Sequence, residues 1–425
     1  MSQIDQAWGA GPSARYEELA KRFRPIFAEI ETGAVSRELG RILPHDEIAA
    51  LAKANFGALR IPKSEGGIGA TLPELFNLLV ELSAADPNVT QALRAHFGFV
   101  EHVANTQPGP FRLRWVERVT NGQLVGNAWT EIGPASQAAF STRVGRREGS
   151  YVLNGTKYYA TGSLFADWID VGATGVDGEG VTVVVSRRDP GVNVIDDWDG
   201  FGQKLTASGT TTFNNAKVDP LDIINDDDRY RYGAAFYQTV HLATLAGIGR
   251  AIAKETAKAV SARTRHFSNG AGPTANQDPQ VLQVVGRIRS NAYAASAIVL
   301  QVAAALERAY DAHFKTDAGA EEHANAIAEI ETSQALGVVS NLILEASTIL
   351  FDTLGASAAK SGSALDRHWR NARTLTSHNP RIYKDRIVGD YAVNGTMPPY
   401  QWRIGEAPSA AVPSTKITSS ASAAA

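Results

Sequence analysis

A chain of 425 residues, with 44% hydrophobic and 20% charged side chains, is long enough for two or three packed units around a shared core. Its formal net charge of −3 gives no electrostatic footprint for nucleic acid or an anionic membrane. Cysteine is absent, which excludes disulfides, thiolate nucleophiles, iron–sulfur clusters and cysteine-bound zinc.

Residues 1–122 read as a helical domain. "SARYEELAKRFRPIFAEI" and "LPELFNLLVELSAAD" repeat apolar residues at three- and four-residue spacing, the second after a proline start. The loop between them carries Gly66-Gly67-x-Gly69, which lacks the spacing and βαβ context of a dinucleotide fingerprint. Over residues 123–228 the period changes to that of strands, in an antiparallel barrel or sandwich. "GSYVLNGTKYYATG" predicts a hairpin turning at Asn154-Gly155. Residues 229–405 return to helices, three of them about 30 residues long and rich in alanine, as in a four-helix bundle. Apolar faces of that length favour an oligomer. Residues 406–425 form a low-complexity tail expected to be disordered.

No apolar run approaches the roughly 20 residues of a membrane helix. The N-terminus lacks a signal-peptide profile, so a cytoplasmic protein without membrane contact is expected. Near the C-terminus, "LDRHWRNARTLTSHNPRIYK" concentrates charge and two histidines. Asn379 and Pro380 suit the N-cap and first position of a helix. His378 then sits before a helix N-terminus, where the dipole disfavours an imidazolium.

The order helix, strand, helix resembles the acyl-CoA dehydrogenase superfamily over roughly residues 15 to 400, an α+β fold. "IPKSEGGIGAT", "GNAWTEIGPASQ", "YVLNGTKYYATGSLFADWIDV" and "RTRHFSNG" match its segments in order. In the dehydrogenases a carboxylate near the C-terminus removes a proton α to a thioester. Here no Asp or Glu lies between Asp366 and Asp385. "DRHWRNART" with a following histidine, "GNA" (126–128), "GTK" (155–157) and "DDW" (196–198) instead resemble the flavin-dependent monooxygenase branch, the dibenzothiophene monooxygenase family.

That resemblance implies an oxidoreductase fed reduced FMN by a separate reductase, with diffusible flavin and O2 as partners and FAD as the alternative cofactor. It implies a homotetramer that forms a C4a-hydroperoxyflavin and oxygenates a small apolar substrate, such as an aromatic sulfur heterocycle. An amine N-hydroxylase, a dehydrogenase with a displaced base and a flavin-binding relative without turnover are the alternatives.

The resemblance also assigns residues. His378 is a neutral hydrogen-bonding ring at the flavin C4a/N5 edge. The second family histidine, three residues earlier, is replaced by Leu375. His96 matches a histidine on the substrate side, although a lone histidine on an apolar helical face is ordinarily a satisfied core residue. Asn127 and Thr161 match polar positions facing the isoalloxazine, with Trp129, Thr130, Ser163 and Trp198 around the ring. Arg265, with Phe267 beside it, matches the arginine that reaches a phosphate in a neighbouring subunit, and Arg370 comes from the C-terminal loop. Phe97, Phe99 and Trp129 would supply an apolar substrate pocket, and 266–280 a lid.

Overall fold

The computed structural model describes residues 7–132, 140–265 and 267–400. The tail at 406–425, part of "GNAWTEIGPASQ" and His266 of the 266–280 segment lie outside the described residues.

Seven helices come first: α1 (Tyr16–Lys21), α2 (Arg24–Gly40), α3 (His45–Lys53), α4 (Leu72–Ala85), α5 (Pro87–Ala92), α6 (Arg94–Asn105) and α7 (Pro110–Thr120). The apolar repeat that reads as one helix at "SARYEELAKRFRPIFAEI" is broken between α1 and α2. Pro25 lacks an N–H and its ring would press on the carbonyl of Lys21, where α1 stops. At α4 the Thr71 hydroxyl and the Glu74 carboxylate satisfy each other's backbone N–H groups in a capping box.

Eight strands follow: β1 (Val125–Ala128), β2 (Arg143–Arg147), β3 (Ser150–Lys157), β4 (Trp168–Thr174), β5 (Gly180–Ser186), β6 (Val192–Val194), β7 (Thr211–Val218) and β8 (Ile223–Asn225). They form one sheet in the order β6-β7-β3-β2-β4-β5-β8, with β1 added along β4. The sheet is mixed rather than wholly antiparallel, because β1 and β2 both run parallel to β4. Val144, Leu153, Ile169, Val171, Val183 and Phe213 fill its interior.

The predicted turn at Asn154-Gly155 is not there. Both residues lie inside β3, where the register against β7 slips in a bulge and a Cβ on Gly155 would stand 2.3 Å from the Thr142 hydroxyl. The β2–β3 hairpin turns instead at Glu148-Gly149, whose φ angles of 50° and 80° suit a type I′ turn.

The C-terminal unit holds α8 (Gly233–Ala262), α9 (Pro279–His313) and α10 (Ala318–Leu354), of 30, 35 and 37 residues. Short helices α11 (Asp366–Ser377) and α12 (Lys384–Asn394) pack onto α10, and α11 also onto α8. Buried alanines on α9 and α10, among them Ala292, Ala303, Ala309, Ala328 and Ala346, let the long helices approach closely. The region Ala318–Ala359, which includes α10, is apolar enough by length and composition to span a membrane, contrary to the reading of its sequence. In its most apolar window 44% of residues are buried inside the protein. One apolar core runs continuously from α1 through α4 into α8, α9, α10 and α11. The candidate crevice lies where β1 meets α6, the loop after β3 meets the end of α5, and α5, α6 and α11 contact α8.

Candidate active site between the sheet and the helices

The sheet side of the crevice is built from the ends of β1 and β3. Beyond β3, a chain of hydroxyls runs from Thr161 to Ser208 (2.7 Å) and from Ser208 to Thr206 (2.7 Å). Thr206 donates its proton to the Gln203 carbonyl (2.8 Å). Each hydroxyl carries one proton, so Ser208 must donate to Thr206 and Thr161 to Ser208. Thr161 therefore offers the crevice only an acceptor. Beside it, the Asn127 Oδ1 and both amide atoms of Gln203 are buried without a hydrogen-bond partner. Ser163 is fully buried and donates to the Asn127 carbonyl (2.9 Å), tying the two loops together. Gly162, at φ 79°, presses this loop onto the end of α5, where a Cβ would lie 2.1 Å from the Ala92 carbonyl oxygen.

Trp129 and Thr130 follow β1, half-buried, and Thr130 bridges to Tyr158. The Trp129 side chain hydrogen-bonds to Asp170, which is also paired with Arg229 at 2.6 Å. Just past Thr130, the buried Lys157 ammonium meets Glu131 at 2.8 Å. Burial pushes Lys157 down to about 8 even so. Burial also works against the Glu131 anion, but Lys157 and the N–H groups of Thr142 and Ser141 hold it at about 2. The carboxylate gains from the pair while the ammonium loses to desolvation, so the pair fixes position more than it adds stability.

On the helix side, His378 occupies the C-cap of α11, with its N–H on the Leu375 carbonyl (3.2 Å). This corrects the sequence expectation: the histidine ends one helix rather than preceding another, and Pro380 opens no α-helix. A helix C-terminus favours an imidazolium, so the dipole is not what keeps the ring neutral. The ring reaches solvent but lies deep among protein atoms. Desolvation first, then the nearby Arg94 cation, push it down to about 3.

A second histidine does stand beside His378: His241, in the middle of α8. Its ring centre is 4.4 Å from that of His378, and the ring is pushed well below its ordinary value by burial, then by Arg94 and His378. The Gln91 amide nitrogen lies 3.2 Å from His241 Nε2. An amide nitrogen only donates, which assigns the His241 proton to Nδ1. A histidine in "QTVHLATL" carries no sequence signal of its own, and the same holds for Gln91, Ser208 and Gln203.

Other expected residues lie elsewhere. His96 is 1% exposed, with Nε2 on the Gly57 carbonyl (3.0 Å) and Nδ1 accepting from the Val125 N–H (3.2 Å). Both nitrogens serve the backbone, so His96 positions the start of β1 and keeps no ring nitrogen for the flavin or substrate role expected of it. Phe97 and Phe99 are fully buried in two separate apolar cores, which removes them from any pocket wall. Arg370 is committed to Glu38 (2.7 Å), Asp366 (2.8 Å) and the Phe201 carbonyl (3.0 Å), which occupies the guanidinium expected to hold a phosphate. Trp198 is half-buried, donates to the Gly202 carbonyl (3.3 Å) and meets Tyr159 edge-on. Arg265 and Phe267 are exposed just past the end of α8. At 1.5 Å per residue they lie roughly 30 Å along that helix from His241. Within one chain they cannot engage the flavin that His378 would touch.

A family model described as the acyl-CoA dehydrogenase middle domain matches residues 126–216, and one described as the C-terminal domain matches 239–380. Together they cover more than half of the chain. The chain belongs to the acyl-CoA dehydrogenase family. Among its relatives is a dibenzothiophene monooxygenase of Rhodococcus qingshengii, 24% identical over 359 residues, which span 80% of this chain and 85% of that one. The probable FMNH2-dependent monooxygenase SfnC of Pseudomonas putida is 24% identical over 390 residues, 88% and 94% of the two chains. Among solved structures, FMN-bound TdsC from Paenibacillus sp. A11-2 superposes with a TM-score of 0.81 at 25% identity, covering 90% of this chain and 98% of that one. These likenesses put this member of the acyl-CoA dehydrogenase family on its flavin-dependent monooxygenase branch.

The crevice residues can meet part of a flavin edge. Isoalloxazine presents acceptors at N1, O2 and O4 and a donor at N3; Thr161 and the unpartnered Asn127 Oδ1 are acceptors suited to N3, and the unpartnered Gln203 Nε2 is a donor suited to one of the ring acceptors.

Proposed function

We propose that this protein is the oxygenase of a two-component system, taking reduced FMN from a separate reductase and inserting one atom of O2 into a small substrate, with oxidation at sulfur as the leading chemistry. The observation that carries this reading is the residue at the end of α11. Where a dehydrogenase needs a carboxylate base, this chain has a neutral histidine set against a second one, the two rings tilted at 56°. Burial and the Arg94 cation hold both rings toward their neutral forms, and no Asp or Glu lies between Asp366 and Asp385 to supply a carboxylate base from the same segment. FMN is favoured over FAD by the FMN-bound structural relative and by the FMNH2-dependent curated one.

When bound, reduced flavin supplies the two electrons that activate O2. The chain's own residues do the rest. Thr161, Asn127 and Gln203 would hold the pyrimidine edge of the flavin. His378 presents a neutral ring that can donate a hydrogen bond without delivering a full positive charge, and His241 holds that ring in place. A neutral environment keeps a stray proton from discharging the activated oxygen as hydrogen peroxide.

The test couples the purified chain to a flavin reductase, NADH, FMN and O2, with an organic sulfide as substrate. Sulfoxide should form, with little hydrogen peroxide per NADH consumed. His378→Ala should invert that ratio by 10-fold or more, within the usual range for a residue that handles a proton. Equal coupling in variant and parent, or dehydrogenation of an acyl thioester by a permanently bound flavin, removes the proposal.

A further inference from the structure

Buried arginines in this protein are paired with carboxylates almost as a rule. Arg37 meets Asp86 and Glu47, Arg60 meets Glu101, Arg112 meets Glu65, Arg229 meets Asp170, and Arg367 meets Glu255. Arg94 is the exception at the crevice. Its Nε donates to the Tyr237 carbonyl (3.2 Å) and its guanidinium carbon lies 4.7 Å over the Tyr237 ring. Among the described residues no carboxylate lies within ion-pair distance, and neither Nη group has a hydrogen-bond partner. Desolvation lowers its affinity for a proton to about 10, with only the phenols of Tyr237 and Tyr230 acting in the other direction.

The position of Arg94 is as informative as its lack of a partner. Every residue of α6 after Arg94 is buried, and Tyr237 alone interrupts a buried run on α8 from Ala235 to Gly249. Arg94 and Tyr237, which touch each other, are thus the accessible points of these two helix stretches, and Arg94 is near enough to His378 and His241 to repel a proton from both. These residues come from α6, α8 and the end of α11, whereas Thr161, Asn127 and Gln203 come from β1 and the loops beyond β3 and before β7. A desolvated cation without a counterion is costly in a folded protein unless a ligand completes it. The free Nη edge is the part of a guanidinium that grips a carboxylate or sulfo group through two parallel bonds.

We propose that Arg94 binds the acidic group of the substrate, so that the molecule oxygenated here is a small organic anion, a carboxylate, sulfinate or sulfonate, whose oxidisable centre lies next to His378. This rests on the monooxygenase reading above. One atom of O2 enters the substrate, and the other leaves as water with two protons and the two electrons of the reduced flavin. The assignment replaces the apolar pocket expected from Phe97 and Phe99.

The test is calorimetric titration of the full chain, with and without oxidised FMN, using 4-(methylthio)benzoate, 4-(methylthio)benzenesulfonate and the neutral methyl ester of the first. At least one anion should bind at least ~10-fold more tightly than the ester. Arg94→Met should abolish that preference while leaving affinity for the ester and for FMN unchanged, and Arg94→Lys should restore part of it. Thermal melts of both variants check the fold. Three results overturn the proposal: equal binding of ester and anions, binding of neither anion, or an Arg94→Met protein that loses FMN instead. Anion binding needs no turnover. An intact preference for the anion without oxygen transfer therefore sinks the monooxygenase reading alone.

Discussion

Replacing Gly162 by alanine isolates what holds the flavin-facing loop in place. The residue has φ 79°, and an added Cβ would stand 2.1 Å from the Ala92 carbonyl oxygen. The left-handed backbone alone costs an alanine about 1–2 kcal/mol. The overlap is with backbone, which cannot rotate aside, so the loop must move by about 1 Å to reach an ordinary contact. Overpacking of that kind costs about 1–3 kcal/mol, and the Gly162 N–H bond to the Thr206 carbonyl (3.0 Å) is at risk in the movement. The total expected is about 2–5 kcal/mol. Gly149 is the matched control: it has φ 80°, but nothing lies within 4 Å of its Cβ position. Gly149→Ala should then cost only the backbone component, about 1–2 kcal/mol. Chemical denaturation of the two variants measures the difference, and fluorescence titration with FMN measures the loop. Gly162→Ala should weaken FMN binding because Thr161 and Ser163 move with it, and Gly149→Ala should not. Equal stability losses in the two variants would show that the loop is not braced by α5, and the reasoning would fail.

His241→Phe keeps the packing of α8 but removes the ring nitrogens beside His378. Peroxide leakage should rise severalfold at unchanged FMN affinity, as read by coupled peroxide assay and FMN titration. Thr161→Val removes the acceptor from the hydroxyl chain and should weaken FMN about 3- to 10-fold in the same titration, the worth of one neutral hydrogen bond. His96, pushed down from 6.5 to about 4 by burial, against the opposing Gly57 carbonyl and Asp167, remains neutral in the fold while the unfolded chain takes up a proton. Stability from this group is present above pH 6.5 and is lost as pH falls through about 4, by about 3 kcal/mol in all. In His96→Gln the denaturation midpoint should depend less on pH across that window. His102 and His241 shift in the same direction, so some slope should persist.

The helix–strand–helix order was legible because long apolar periods survive local detail: α4 and the three long helices fall where the repeats put them. Punctuation was harder to read. Asn154-Gly155 has the composition of a tight turn, but the same pair also fits a bulge, and only the packing of Thr142 against Gly155 decides between them. Asn379-Pro380 fits the opening of a helix equally well as the sequel to one, since proline commonly follows a C-cap. Residue type pointed to His378, Asn127 and Thr161 within segments that resemble a family. It could not point to His241, Gln91 or Arg94. These come from helices distant in sequence, and their significance lies in which partner each has or lacks.

The placement of His378 at the end of α11 sets two influences against each other. The carbonyl end of the helix draws a proton toward the ring, while the surrounding protein and Arg94 drive it off. A side chain held by such opposed pulls registers whatever enters beside it. An acid group settling on Arg94 would cancel the repulsive charge, making the imidazole more basic as its neighbour arrives. Occupancy at Arg94 would thus be converted into proton readiness, and oxygen chemistry would be timed to the presence of something to oxidise.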